Sequence, residues 1–216
     1  MILVSTGGFS DITAYEACLQ LNKNGIYSFE LSGGKYDPNV FDNLKKLSEK
    51  YNIRIHNYFP PPKVPFVLNL ASKNEEVTKL SINHIKSSIK IASSYNCKFY
   101  SFHAGFLLDP KSEELGKKIT KRNLNNKDEA MQIFINRVNS LSKYAKDEGI
   151  ELLIENNVIS ANNYKEFGED VFLMTDSSDC KYIFENTPDN VNMLLDFAHL
   201  KVSSKTLNFS TKEFIE

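Results

Sequence analysis

The sequence has too few cysteines for a disulfide framework: Cys18, Cys97 and Cys180 are isolated, odd in number and without a C-x-x-C spacing. They read as small buried hydrophobes in a reducing compartment rather than as nucleophiles. An excess of one charge is also lacking. Lys and Arg total 26 against 27 Asp and Glu, a formal net charge of −1. The one-sided positive field of a nucleic-acid binder is therefore missing, and no nucleic acid is expected as a partner. No apolar run approaches the roughly 20 residues that span a bilayer. The opening Met1-Ile2-Leu3-Val4-Ser5-Thr6-Gly7-Gly8 lacks the basic region and core length of a signal peptide. A cytoplasmic location without a membrane partner is the expectation. Gly7-Gly8 is only a fragment of the glycine-rich turn that follows the first strand of a dinucleotide-binding sheet.

What the chain does have is an alternation of short apolar segments with helical periodicity, read as a single domain over residues 1–216. Strands are expected at Ile2–Ser5, Tyr27–Leu31, Ile53–Tyr58, Lys98–His103, Glu151–Glu155 and Val191–Asp196. Between them, a helix capped by Ser10 or Asp11 runs to Asn24, where Gly25 stops it, and Asp37-Pro38 opens a second. Longer helices are expected from about Asn74 to Tyr95 and over Lys127–Glu148, a shorter one at Asp176–Glu185, and a last one starting at Thr211 and running to Glu216. The proline-rich Phe59–Pro65 cannot be regular structure. Phe106–Asn126 is a long polar excursion of the kind that carries function.

Six consecutive strand–helix units imply a parallel α/β sheet with right-handed crossovers. Either an open doubly wound sheet or a (β/α)8 barrel fits that order. Candidate ligands end several strands in succession, and a closed barrel aims such ends at one axis, which favours the barrel. Barrels of this kind take about 250 residues. The expectation is thus a TIM-barrel type truncated to about six βα units, incomplete at its C-terminus with strands seven and eight missing. Exposed barrel edges would favour a homo-oligomer.

Several strands end on metal-capable side chains. Glu155 closes an apolar strand, where a carboxylate must be paired, hydrated or metal-bound; an ion pair with Lys or Arg is the plain alternative. Asp196 and His199 form a D-x-x-H pair that offers a hard oxygen and an imidazole to one mouth, although the same spacing also starts helices. His103 shares a strand face with Ser101 and Phe99, and is a ligand or a satisfied core histidine; His56 is the same case one strand earlier. Glu30 ends the second strand and faces either the mouth or a salt bridge. Lys201 and Lys205 are solvated or meet a phosphate, and His84, in mid-helix, is structural.

The order and spacing of four segments resemble the xylose isomerase-like TIM-barrel superfamily, which holds sugar phosphate isomerases and epimerases and the endonuclease IV enzymes. The segments are His56 through Val67-Leu68-Asn69-Leu70-Ala71-Ser72, Phe102-His103-Ala104-Gly105, Ile154-Glu155-Asn156-Asn157, and Leu195-Asp196-Phe197-Ala198-His199. That resemblance implies Glu155, Asp196, His103, His199 and His56 as metal ligands, with Glu155 also a catalytic base. It implies His199, His103, Glu30 and Asn157 as substrate-binding residues. The cofactor implied is a divalent ion (Mn²⁺, Mg²⁺, Co²⁺ or Zn²⁺), and the partner a carbohydrate. The activity implied is isomerisation or epimerisation of a sugar or sugar phosphate by carboxylate-mediated proton transfer through an enediolate. Two alternatives stand beside it: an endonuclease IV-like zinc phosphodiesterase at abasic DNA, and a non-catalytic fragment. Family members complete the site with a histidine near strand seven and a glutamate on strand eight, which this sequence does not reach.

Overall fold

The computed structural model of the protein describes residues 2–215. Six strands form one parallel sheet in sequential order: β1 (Val4–Ser5), β2 (Ser28–Leu31), β3 (Asn52–His56), β4 (Phe99–His103), β5 (Glu151–Glu155) and β6 (Val191–Leu194). The helices between and after them are α1 (Ala14–Asn22), α2 (Val40–Ser48), α3 (Glu75–Ser94), α4 (Lys127–Asp147), α5 (Ala161–Phe167), α6 (Ser177–Glu185), α7 (Phe197–Leu207) and α8 (Thr211–Ile215). Among the described residues β1 pairs only with β2, and β6 only with β5. The α/β barrel-type architecture with six βα units is therefore present.

Alternation along each strand separates two faces. Phe29, Leu31, Ile53, Ile55, Tyr100, Phe102, Leu152 and Ile154 are buried in the main core, shared with Leu44 and Leu47 of α2, Ile85 and Ile89 of α3, and Phe134, Val138 and Leu141 of α4. The opposite face carries Glu30, Arg54, His56, Ser101, His103 and Glu155. Because the strands are parallel and in sequential order, their C-terminal ends share one rim. The register sets His56 beside Ser101, and His103 beside Glu155.

Several boundaries differ from the sequence expectation. α1 starts at Ala14, because Thr13 rather than Ser10 or Asp11 forms the capping box with Glu16. It ends at Asn22, and Gly25 then takes φ 79° in the turn that follows. Asp37 does not open α2; its carboxylate accepts from Asn39 N–H and from the Asn43 amide, and the helix begins at Val40. β1 is shorter than Ile2–Ser5, β3 stops at His56 rather than Tyr58, and β6 stops at Leu194. Helices α5 and α7 were not expected. The final helix does start at Thr211; Glu216, its expected end, lies outside the described residues.

The 106–126 excursion is ordered by packing against neighbouring segments. Phe106 bridges antiparallel to Phe172, and both join Val67, Leu108, Ile119, Ile159, Phe167 and Val171 in a second apolar cluster. Asn69 ties the excursion down: its Nδ2 donates to the carbonyls of Phe106 and Leu108, and its Oδ1 accepts from Phe106 N–H.

Candidate metal centre

Sequential parallel strands bring the last residues of β3, β4 and β5 to the same rim, and those residues are His56, His103 and Glu155. Glu155 is 5% exposed. Its Oε2 lies 3.2 Å from His56 Nε2 and 3.7 Å from His103 Nε2, and its Oε1 lies 3.5 Å from His199 Nδ1. Two overlapping ligand sets result, His56–His103–Glu155 and Glu155–Asp196–His199, each with its ligand atoms within 4.8 Å of one another. All five residues read from the sequence as metal-capable are thus brought together, with Glu155 common to both sets.

Neighbouring groups orient these side chains. His56 Nδ1 is 2.7 Å from Ser101 Oγ, which aims Nε2 at Glu155. His199 Nδ1 is 2.8 Å from the carbonyl of Asn156. A carbonyl only accepts, so Nδ1 carries the proton and Nε2 presents a lone pair, 3.8 Å from Asp196 Oδ2. Asp196 caps α7, its Oδ1 accepting from His199 N–H at 2.8 Å. The D-x-x-H spacing is thus a helix start and a candidate ligand pair at once. Asn156, to which the sequence reading gave no role, grips the Asp196 backbone twice: Nδ2 donates to its carbonyl at 3.1 Å and Oδ1 accepts its N–H at 2.7 Å. The adjacent asparagines after β5 were the signal for it, and the shared strand face of Ser101 and His103 was the signal for Ser101.

The electrostatics match the packing. Burial pushes the Glu155 carboxyl up to about 8, and the carboxylates of Asp196 and Glu30 push the same way. Burial, with the nearby imidazoles of His56 and His199, brings His103 down to about 3. Burial also lowers His56, against the opposing pull of Glu30. Glu155 Oε2 and His103 Nδ1 are buried without a hydrogen-bond partner. Neutral imidazoles crowd the Glu155 carboxyl and leave these two buried atoms without partners, and a divalent cation would satisfy such a donor set. The residues present therefore fit a divalent ion.

Other expected site residues fall around this centre. Glu30 belongs to neither ligand set, although its charge reaches both His56 and Glu155. Asn157 lines the adjoining cavity, but its amide nitrogen is committed to the carbonyls of Ala104, Gly105 and Leu173. Lys201 and Lys205 are exposed on α7. His84 stacks on Tyr58 with ring centroids 5.3 Å apart and bonds the carbonyl of Asn57. The three cysteines are buried and free. Among the described residues no helix is long and apolar enough to cross a membrane.

A cavity of about 720 Å³ opens over the centre, with His103 and His199 in its wall. Residues 57–68 close one side and residues 112–119 roof it. That volume is in the range of small-molecule sites.

Fold and rim together define a β/α-barrel protein with a metal-capable centre at the C-terminal ends of its strands. The sequence profile of the xylose isomerase-like TIM barrel matches residues 18–210, and the chain belongs to that family. A search of curated proteins finds no match. Among solved structures, the apo 3-keto-D-glucoside 4-epimerase of E. coli is similar with a TM-score of 0.66 at 13% identity, over 95% of this chain and 71% of that one. D-Psicose 3-epimerase of Clostridium cellulolyticum H10, crystallised with D-tagatose, gives 0.63 at 12% identity, over 92% of this chain and 64% of that one. A Thermus thermophilus protein, TTHB071, soaked with ZnCl2, gives 0.56 at 16% identity, over 89% of this chain and 67% of that one. At such identities the likeness is one of fold. This chain spans roughly two thirds of the length of these structures.

Proposed function

We propose that the protein is a divalent-metal-dependent isomerase or epimerase acting on a sugar or sugar phosphate. The observation that carries this reading is the pair of ligand sets sharing Glu155 beside a cavity of small-molecule size. His56, His103, Glu155, Asp196 and His199 would hold an ion of the Mn²⁺, Mg²⁺, Co²⁺ or Zn²⁺ type. When bound, it polarises adjacent carbonyl and hydroxyl oxygens and acidifies the C–H between them.

The chain's own residues then have distinct tasks. Glu155 takes the carbon-bound proton while the C–H electron pair forms the double bond of an enediolate. Return of that proton from Glu155 to the neighbouring carbon moves the carbonyl; inversion of the first carbon would take a proton from a second acid on the opposite face, which none of these five residues supplies. His103 and His199 face the cavity that would hold the substrate, and Glu30 contributes charge from β2. Asn156 keeps Asp196 and His199 in place.

The test is hydrogen exchange. Protein loaded with Mn²⁺ and incubated with D-fructose or D-tagatose in D2O should place deuterium on a carbon next to the carbonyl, read by NMR. A panel of ketoses and their phosphates with no exchange above the buffer rate would sink the reading. A second reading, a metal-dependent phosphodiesterase at abasic DNA, is favoured by His56 and His103, because a one-metal isomerase has no need of both. Efficient nicking of an abasic duplex by the metal-loaded protein would put that reading first.

A further inference from the structure

Several polar groups around the cavity are committed to holding its walls. Asn163 accepts the Ile119 N–H through Oδ1 at 2.9 Å and donates through Nδ2 to the Lys117 carbonyl at 3.1 Å. Ser160 Oγ accepts from Asn163 N–H. Lys118 is paired with Glu166 at 2.6 Å. Both oxygens of Glu114 are bonded to Arg122, and one each to Lys111 and Thr120 N–H. The amide nitrogen of Asn157 already serves three carbonyls. These committed groups offer little to the hydroxyls of a ligand, and a buried hydroxyl left unpaired weakens binding.

Much of the remaining wall is apolar, and its aromatic rings are braced by their neighbours. Phe66, Phe106, Leu115, Val158 and Phe172 all line the cavity. Phe106 and Phe172 meet edge to face at 5.3 Å and belong to the second apolar cluster. Phe66 is pinned by its N–H bond to Tyr58 Oη at 2.7 Å, with ring centroids 5.6 Å from Tyr58 and 5.9 Å from His84. The metal-capable end, by contrast, is marked by His103 and His199, whose rings are 5.4 Å apart. One cavity therefore carries both oxygen-seeking imidazoles and a braced apolar wall.

We propose that the ligand of this cavity is a sugar carrying an apolar substituent, aryl or alkyl, with its oxygens toward His103 and His199 and the substituent against the wall formed by Phe66, Phe106, Leu115, Val158 and Phe172. The sugar half of this statement rests on the function proposed above; the apolar half rests on the wall. An apolar ring removed from water into a rigid pocket adds affinity without new polar partners.

The probes are phenyl β-D-glucopyranoside and methyl β-D-glucopyranoside, titrated calorimetrically into the Mn²⁺-loaded full chain. The phenyl compound should bind about ten-fold or more tightly than the methyl one, as expected for burial of an aromatic ring. Two variants sharpen the result. Leu115→Asp changes a roof residue that is 47% exposed, and Val158→Thr replaces one methyl by a hydroxyl at nearly constant shape. Both should keep the wild-type melting temperature and bring the two affinities close together. Equal affinities in the wild type, no saturable binding of the phenyl probe, or a preference unchanged in both folded variants would each overturn the proposal. Deuterium exchange separates it from the function beneath it. A phenyl preference without exchange in any ketose supports the apolar subsite and defeats the isomerase; exchange with equal affinities does the reverse.

Discussion

Glu155 and Glu114 are the same residue type at almost the same burial, 5% and 7% exposed, yet their surroundings are opposite. Glu114 sits among donors: the N–H groups of Lys111 and Thr120, at 2.8 Å and 3.0 Å, and the Arg122 guanidinium. Burial pushes its carboxyl up, but these bonds outweigh burial and hold it down at about 2. Glu155 sits among imidazole nitrogens and other carboxylates, its Oε2 lacks a hydrogen bond, and its carboxyl is driven up to about 8. A buried carboxyl whose oxygens are both met by donors is a structural knot, whereas one left with an unpartnered oxygen among imidazoles is a candidate ligand. Residue type and burial do not separate the two roles; the sign of the neighbours does.

The largest expected effect comes from removing the ligand character of Glu155. Glu155→Gln should lower Mn²⁺ or Zn²⁺ affinity by more than the roughly 10–100-fold that loss of a supporting partner costs, as measured by calorimetry. In the metal-free protein the same change should leave the melting temperature unchanged or raised, since it replaces a group with no donor on Oε2 by a neutral amide. A metal-free Glu155→Gln protein that melts several degrees lower would erase the contrast with Glu114. Next in size is Asn156→Ala. It frees the Asp196 backbone and one anchor of α7, and metal affinity should fall about 10–100-fold with the fold intact by circular dichroism. Unchanged affinity would show that Asp196 and His199 hold their places without the asparagine.

Much of this centre was legible in the sequence because its residues end strands. A strand end is marked by the break from apolar alternation to loop, and that break follows His56, His103 and Glu155 closely. The sequential sheet then does the rest, since parallel order alone places those ends on one rim. What was not legible depends on contacts between distant segments. Asn156 matters only because α7 returns its N-terminus to the end of β5. Local chemistry misplaced the starts of α1 and α2, where Ser10, Asp11 and Asp37-Pro38 are all plausible openers. Thr13 prevails because Glu16 completes its capping box, and Asp37 is diverted to Asn39 and Asn43. Within the excursion, Glu114 is one charged residue among several, and only Arg122 folding back eight residues later gives it meaning.

Glu114 allows the contrast to be tested in the other direction. Glu114→Gln keeps the shape and removes the charge that Arg122 and two N–H groups address. It should destabilise the protein by about 1–2 kcal/mol, a value discounted because Arg122 is partly exposed. It should also raise amide hydrogen exchange across residues 109–122, while metal affinity stays as in the wild type. The pH dependence follows from the depressed carboxyl. Its value is about 2 in the folded chain against an ordinary 4.5, so the folded state binds the proton less readily than the unfolded state. The stabilisation from Glu114 is therefore fully present above about pH 4.5 and drains away as the pH falls toward 2. Chemical denaturation of wild type and Glu114→Gln at a series of pH values should give curves that differ at pH 6 and converge as acid is added. A gap that stays constant to pH 3 would mean that Glu114 works through shape rather than charge, and the roof would then be held by packing of the second apolar cluster alone.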